Sequence, residues 1–143
     1  MNGPLTDVDA VIFDMDGTLV DSEHLTRAVV VEVLSEVGED DGGVRDEQLH
    51  GVTWAQIAAD LVAAHPVLAG RCTGLDLHQR CHRMWVETPP PPMPGVLDAL
   101  RRARAAGLAV AMATSSNRES IDGLVARPGF TAAFDATVGA DDI

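Results

Sequence analysis

The sequence predicts an α/β protein: a partial parallel sheet of about three strands, with a helical segment inserted after the first. Three observations predict it. Short, largely apolar runs at Val8–Phe13, Leu108–Ala113 and Ala136–Gly139 have the length and character of strands. Helical patterns separate them, and strands alternating with helices argue for a parallel sheet with right-handed crossovers. Polar residues cluster where the first two runs end, and α/β sheets bind ligands at the carboxyl ends of their strands. The expected core is therefore Rossmann-like.

The elements follow in order. From Ser22 onward, Leu25, Val29, Val33 and Val37 recur at spacing four, Val30 and Leu34 widen the stripe, and Gly38 is a C-terminal stop. Residues 38–46 are rich in Gly, Asp and Glu and read as a solvated loop. Thr53-Trp54-Ala55-Gln56 fits a capping box for a second helix that carries Ile57, Leu61 and Val62 and ends before Pro66. A third helix is expected over 75–87, with Leu77, Cys81, Met84 and Trp85 on one side. The proline-rich stretch Thr88–Pro94 reads as a stiff linker or hinge. Pro94 then opens a helix that turns Val96, Leu97, Leu100 and Ala103 inward and stops at Gly107. Thr114-Ser115-Ser116-Asn117 caps a helix over 118–127, and Phe130 and Phe134 read as core. Residues 1–19 and 90–143 thus form the α/β core, and 20–89 an inserted helical cap.

Composition bounds the partners. The 143 residues suffice for one core, and 46% apolar residues give a globular composition. A net charge of −12 argues against a nucleic-acid surface and against anionic membranes. All ten basic residues are arginines; there is no lysine. Cys72 and Cys81 lie nine apart, without CxxC spacing, and read as reduced, partly buried thiols. The acidic N-terminus is not a signal peptide and no run approaches a membrane span, so the expected location is cytoplasmic.

The chemistry lies where the first strand ends, at Asp14-Met15-Asp16-Gly17-Thr18. Two carboxylates there cost free energy to desolvate unless a cation or donors compensate. Asp14 can attack phosphorus as a nucleophile, and Asp16 can protonate a leaving oxygen and later activate water. A divalent cation is needed to bring a carboxylate to a phosphate dianion, and oxygen-only ligation suits Mg²⁺. After the second strand, the Thr114 hydroxyl and the backbone N–H groups of Ser115 and Ser116 offer an anion site ahead of a helix.

Phe13-Asp14-Met15-Asp16-Gly17-Thr18-Leu19-Val20-Asp21-Ser22 resembles the first motif of the haloacid dehalogenase superfamily, and Thr114 after Ala109–Ala113 resembles its second. The helical insert and Pro94-Gly95-Val96 resemble the phosphoglycolate phosphatase and β-phosphoglucomutase branch. The resemblance implies an aspartyl-phosphate phosphohydrolase acting on small phosphorylated metabolites with Mg²⁺. It makes Asp14 the nucleophile and a metal ligand. It makes Asp16 the acid/base, with its backbone carbonyl a second ligand, and gives Thr114 and Ser115 to the phosphate. Leu49-His50-Gly51-Val52-Thr53 resembles the cap loop that screens substrates, so His50 and Gly51 are its candidate contacts; read from the residues alone, His50 is an exposed loop residue.

The pattern also departs from that family. Its third motif is a lysine and its fourth an acidic pair after a later strand. The chain has no lysine, and Asp141 and Asp142 lack the strand and helix that should precede a fourth motif. The expectation is a chain that stops short of both. Two alternatives therefore stand beside the phosphatase: a phosphoglucomutase-like transferase and a non-catalytic fragment. Trp54, where a mutase-like loop would carry a basic residue, favours phosphatase over mutase.

Overall fold

The computed structural model describes residues 7–40, 43–49 and 51–143. In chain order they form β1 (Ala10–Phe13), α1 (Glu23–Glu36), α2 (Trp54–Ala64), α3 (Gly74–Glu87), α4 (Val96–Ala105), β2 (Ala109–Ala113), α5 (Arg118–Val125) and β3 (Ala136–Val138). Short 3-10 turns occupy Asp46–Gln48, Pro66–Leu68 and Ala140–Asp142. The chain divides into two compact units: residues 1–21 with 91–143, and residues 22–90. None of the described helices is long and apolar enough to cross a membrane.

The first unit is built on a parallel sheet in the order β1-β2-β3. β1 pairs with β2 from Ala10 opposite Ala109 to Phe13 opposite Met112, and β2 with β3 from Ala111 opposite Ala136 to Ala113 opposite Val138. This is the α/β, Rossmann-like core that the alternation of patterns predicts. One face is well covered: Val110 and Met112 are fully buried, α4 packs on β2, and Leu100, Ile121, Leu124 and Phe130 complete the interior. The other face is not. Ile12 is 70% exposed and Val138 45%. The apolar runs predict strands buried on both sides, and the structure buries one. Handedness supplies the reason, because two right-handed crossovers that step in the same direction lay both helices on the same face.

Two ends of this unit are tied together where the chain leaves and re-enters it. The Asp21 amide donates to the Pro91 carbonyl at 2.9 Å and the Met93 amide to the Leu19 carbonyl at 3.0 Å. The proline-rich stretch is thus anchored at 91–93. Pro94 stands outside α4, whose N-cap is Gly95 at φ +80°, a left-handed geometry that favours glycine. The helix starts two residues later than the proline predicts, because the chain must turn sharply first.

The second unit closes three helices around Val29, Val30, Leu34, Ile57, Leu61 and Leu77. The stripe read from α1 is buried as expected, and Cys72 is buried with its thiol pushed up by that burial and, less, by Asp76. Cys81 is half-buried, and neither cysteine is in a disulfide. Thr53 does cap α2, accepting from the Gln56 amide at 3.3 Å, but only half of the expected capping box forms. The Gln56 side chain bonds Asp60 one turn on at 2.8 Å instead. The complete box belongs to α3: Thr73 accepts from the Asp76 amide at 3.2 Å, and Asp76 accepts from the Thr73 amide at 3.0 Å. Bidentate Arg80–Glu36 contacts at 2.7 and 2.9 Å and Arg83–Glu32 contacts join α3 to α1.

Candidate active site

The loop after β1 is pinned by what it buries. Met15, Leu19 and Val20 are fully buried, while Asp14 and Asp16, on either side of Met15, are exposed. Alternation in an extended segment turns residues 14 and 16 away from the interior together. The Met15 carbonyl accepts from the amides of Leu19 and Val20 at 2.9 and 3.2 Å, and the Gly17 amide donates to the Val20 carbonyl at 2.9 Å. Gly17 stands at φ +70°, which permits this tight reversal.

The pairing register brings the end of β2 alongside. The Ser116 hydroxyl donates to Asp16 Oδ2 at 2.7 Å, and the Thr114 hydroxyl approaches the same oxygen at 3.5 Å. The Ser116 amide donates back to Thr114 Oγ1 at 3.1 Å, so it braces the loop from within. Asn117 caps α5, accepting from the Ser120 amide at 3.0 Å. The structure thus joins Asp16 to Thr114 and Ser116. Asp14 lies at the same edge of the sheet, on the neighbouring strand. Ser115 is exposed in the loop between the two hydroxyls. Gly51 is exposed in the second unit at φ +70°, and His50 lies outside the described residues.

Residues of α5, β3 and the turn after it support this loop. The Arg118 guanidinium donates to Thr137 Oγ1 at 2.8 Å and pairs with Asp142. The Arg118 amide donates to Asp141 at 3.0 Å, and the Ala140 amide to the Ser116 carbonyl at 2.9 Å. The Gly139 amide, then Arg118, hold the Asp142 carboxyl below its usual range. Asp141 and Asp142 therefore close a turn against α5. Ser116 itself carried a readable signal: in an extended loop, residues 114 and 116 share a side.

Among the described residues no group of three or more His, Cys, Asp or Glu side chains is arranged to hold a metal ion. The carboxylates at this end of the sheet, Asp14 and Asp16, are exposed oxygen donors of the hard type that suits Mg²⁺. Mg²⁺ commonly takes one or two carboxylates and fills its shell with waters and substrate phosphate.

The comparisons with known proteins bear on the family and the fold. The chain belongs to the haloacid dehalogenase-like hydrolase family, whose model matches residues 8–143. It is 29% identical over 143 residues to the chloroplastic protein SUPPRESSOR OF QUENCHING 1 of Arabidopsis thaliana, covering 94% of this chain and 13% of that protein. It is 29% identical over 128 residues to protein CbbY of Rhodobacter capsulatus, covering 84% of this chain and 56% of that one. Among solved structures, a Thermotoga maritima protein whose β-phosphoglucomutase assignment is itself inferred matches with TM-score 0.70 at 26% identity, covering 95% of this chain and 63% of its own. CbbY of Rhodobacter sphaeroides, solved with xylulose 1,5-bisphosphate, shares the fold at TM-score 0.63 and 23% identity, over 95% of this chain and 65% of its own. The chain thus spans less than two thirds of each of these relatives.

Proposed function

We propose that the protein is a Mg²⁺-dependent phosphohydrolase that acts on small phosphate monoesters through an aspartyl-phosphate. The observation that carries this is the convergence of Asp16 with the Thr114 and Ser116 hydroxyls, one strand away from Asp14, at the carboxyl edge of a parallel sheet. Family membership supports the reaction class.

In this reading the Asp14 carboxylate attacks phosphorus, and the bond from phosphorus to the ester oxygen breaks. Asp16 gives its proton to the departing alkoxide. Water then attacks the acyl-phosphate, Asp16 takes the proton from that water, and inorganic phosphate leaves. Thr114 and the amides of its loop hold the phosphate oxygens. Asp14 and the Asp16 carbonyl would hold Mg²⁺, which when bound neutralises phosphate charge against the approaching carboxylate. The Asp16 carboxylate, engaged by Ser116, remains for proton transfer.

Likeness to a β-phosphoglucomutase keeps a transferase as the second reading, in which a sugar hydroxyl replaces water as acceptor. Trp54 does not separate the two readings. It is the first residue of α2 and packs against the interior of its own unit. Incubating the full-length gene product with sugar phosphates and Mg²⁺ separates them, by free phosphate against isomerised sugar phosphate. Asp14→Asn removes the nucleophile and is expected to abolish either product; turnover at the parent rate would overturn the aspartyl-phosphate reading.

A further inference from the structure

Asp141 and Asp142 close a turn that holds the loop after β2 at three alternate residues. The Thr114 amide donates to the Val138 carbonyl at 3.0 Å, and the Ser116 carbonyl accepts from the Ala140 amide at 2.9 Å. The Arg118 amide donates to Asp141 Oδ2 at 3.0 Å. Residues 114, 116 and 118 are thus bound to residues 138, 140 and 141. Between the tied points, the Ser115 amide has no acceptor among the described residues.

One side chain fixes the turn itself. The Arg118 guanidinium, leaving the first turn of α5, donates to Thr137 Oγ1 at 2.8 Å and to the Thr137 carbonyl at 3.3 Å, and it pairs with Asp142. Asp142 Oδ2 also accepts from the Gly139 amide at 2.8 Å. An exposed ion pair alone contributes little. This cation spans β3 and the turn after it, while its own backbone belongs to the loop that they hold. A rigid guanidinium fork suits several acceptors at once.

We infer that Arg118 and Asp142 are a positioning pair for the phosphate loop: they lock the turn at 139–142 against α5 and so fix where Thr114 and the Ser115 amide meet an anion. The inference rests on the proposed phosphohydrolase reading. Neither residue touches phosphate in this role; each acts through the backbone it holds. Removing either releases the same loop, so the two losses should not add. A guanidinium in direct contact with phosphate would behave otherwise. Arg118→Ala would then weaken phosphate binding, whereas Asp142→Asn, which releases the cation, would strengthen it or leave it alone.

The test measures kcat and KM of the full-length gene product on p-nitrophenyl phosphate with Mg²⁺, and the inhibition constant of inorganic phosphate. The parent is compared with Arg118→Ala, Asp142→Asn, the two together, and Asp135→Asn. The last loosens β3 at its other end, where Asp135 accepts from the Val110 amide and from Arg104, and so controls for a merely structural effect. Expected for Arg118→Ala and for Asp142→Asn is a rise of about fivefold or more in the inhibition constant and in KM, with the double variant within about twofold of either. Asp135→Asn should leave both constants at the parent values. Asp142→Asn carries the test alone if Arg118→Ala fails to fold. An inhibition constant in Asp142→Asn that is unchanged, lower, or raised no more than in Asp135→Asn overturns the inference and leaves the phosphohydrolase reading standing. Losses that multiply in the double variant do the same. A parent that does not cleave the ester overturns the phosphohydrolase reading, and the inference with it.

Discussion

The helical unit and the α/β unit face the same burial problem and solve it to different extents. Three amphipathic helices can share one centre, and in residues 22–90 they do: Val29, Val30, Leu34 and Leu77 have no exposed surface. A parallel sheet has two faces and needs cover on both. In the α/β unit Val110 and Met112 are fully buried on one face, while Ile12 is 70% and Val138 45% exposed on the other. The difference teaches how the site is held. The strand tips that carry Asp14 and Thr114 are not clamped between two layers. They are tied laterally, by Asp16 to Ser116 and by Arg118 to Thr137, Asp141 and Asp142.

Substitutions on the two faces test that contrast most directly. Phe130→Ala removes a fully buried ring from the α/β interior and is expected to cost about 3–5 kcal/mol. Leu34→Ala, its counterpart in the helical unit, is expected to cost about 2–5 kcal/mol. Ile12→Ala should stay within about 0.5 kcal/mol, as exposed substitutions do. Urea unfolding reads all three, followed by far-UV circular dichroism and by tryptophan fluorescence. Trp54 and Trp85 are the only tryptophans and both lie in residues 22–90, so fluorescence reports the helical unit. A cost for Ile12→Ala comparable to that of Phe130→Ala would break the contrast by showing that the exposed face is covered in solution.

A smaller effect comes from one glycine in each unit, where chains approach closely. A Cβ on Gly139 would lie 2.7 Å from Ile121 Cδ1 and 2.8 Å from the Ser116 carbonyl oxygen. On Gly74 it would lie 2.8 Å from the Cα and amide nitrogen of Ala55. Gly139→Ala and Gly74→Ala are each expected to destabilise by about 1–3 kcal/mol, the cost of forcing extra volume into a packed contact. The two should differ in a second measurement. On the phosphohydrolase reading proposed above, only Gly139→Ala should also lower turnover, because its clash bears on the backbone that presents Ser116. Equal turnover in the two variants would show that the site tolerates movement of that loop.

The parts legible in the sequence were those set by local rules. Apolar runs and helical stripes place every strand and helix of the described chain to within a few residues, and Asn117 caps α5 as its position predicts. Motif residues locate the sheet edge where Asp16 meets Thr114. What the sequence hid depends on partners distant along the chain. Ile12 looks interior because its neighbours are apolar, yet crossover handedness decides which face is covered. Gln56 looks like a capping-box acceptor, yet its side-chain amide donates to Asp60 one turn on. Arg118 and Asp142 look like surface charges, yet the end of β3 brings them together across 24 residues.

The smallest expected effect concerns acid. Asp135, just ahead of β3, accepts from the Val110 amide at 2.8 Å and from the Arg104 guanidinium at 2.6 Å. The amide first, and the guanidinium second, hold its carboxyl below the ordinary 3.8. In the helical unit Arg80 likewise holds Glu36 below 4.5. A carboxyl depressed on folding stabilises the fold in its charged form. That stabilisation is complete above the unfolded value and is lost as pH falls through the folded one. Stability should therefore change little from neutrality to about pH 5 on account of these groups, and decline below about pH 4. Asparagine at 135 keeps an acceptor for the Val110 amide but offers Arg104 no charge. Asp135→Asn should thus unfold at lower urea than the parent at pH 7 by circular dichroism, and the gap should close towards pH 3 as the parent carboxyl is protonated. Glu36→Gln should behave in the same way by tryptophan fluorescence, since Arg80 on the neighbouring helix loses a charged partner in the same manner. A gap that persists undiminished at pH 3 would show that Asp135 acts through shape alone, and that the charge on the lateral ties of the α/β unit contributes nothing to holding β3 against β2.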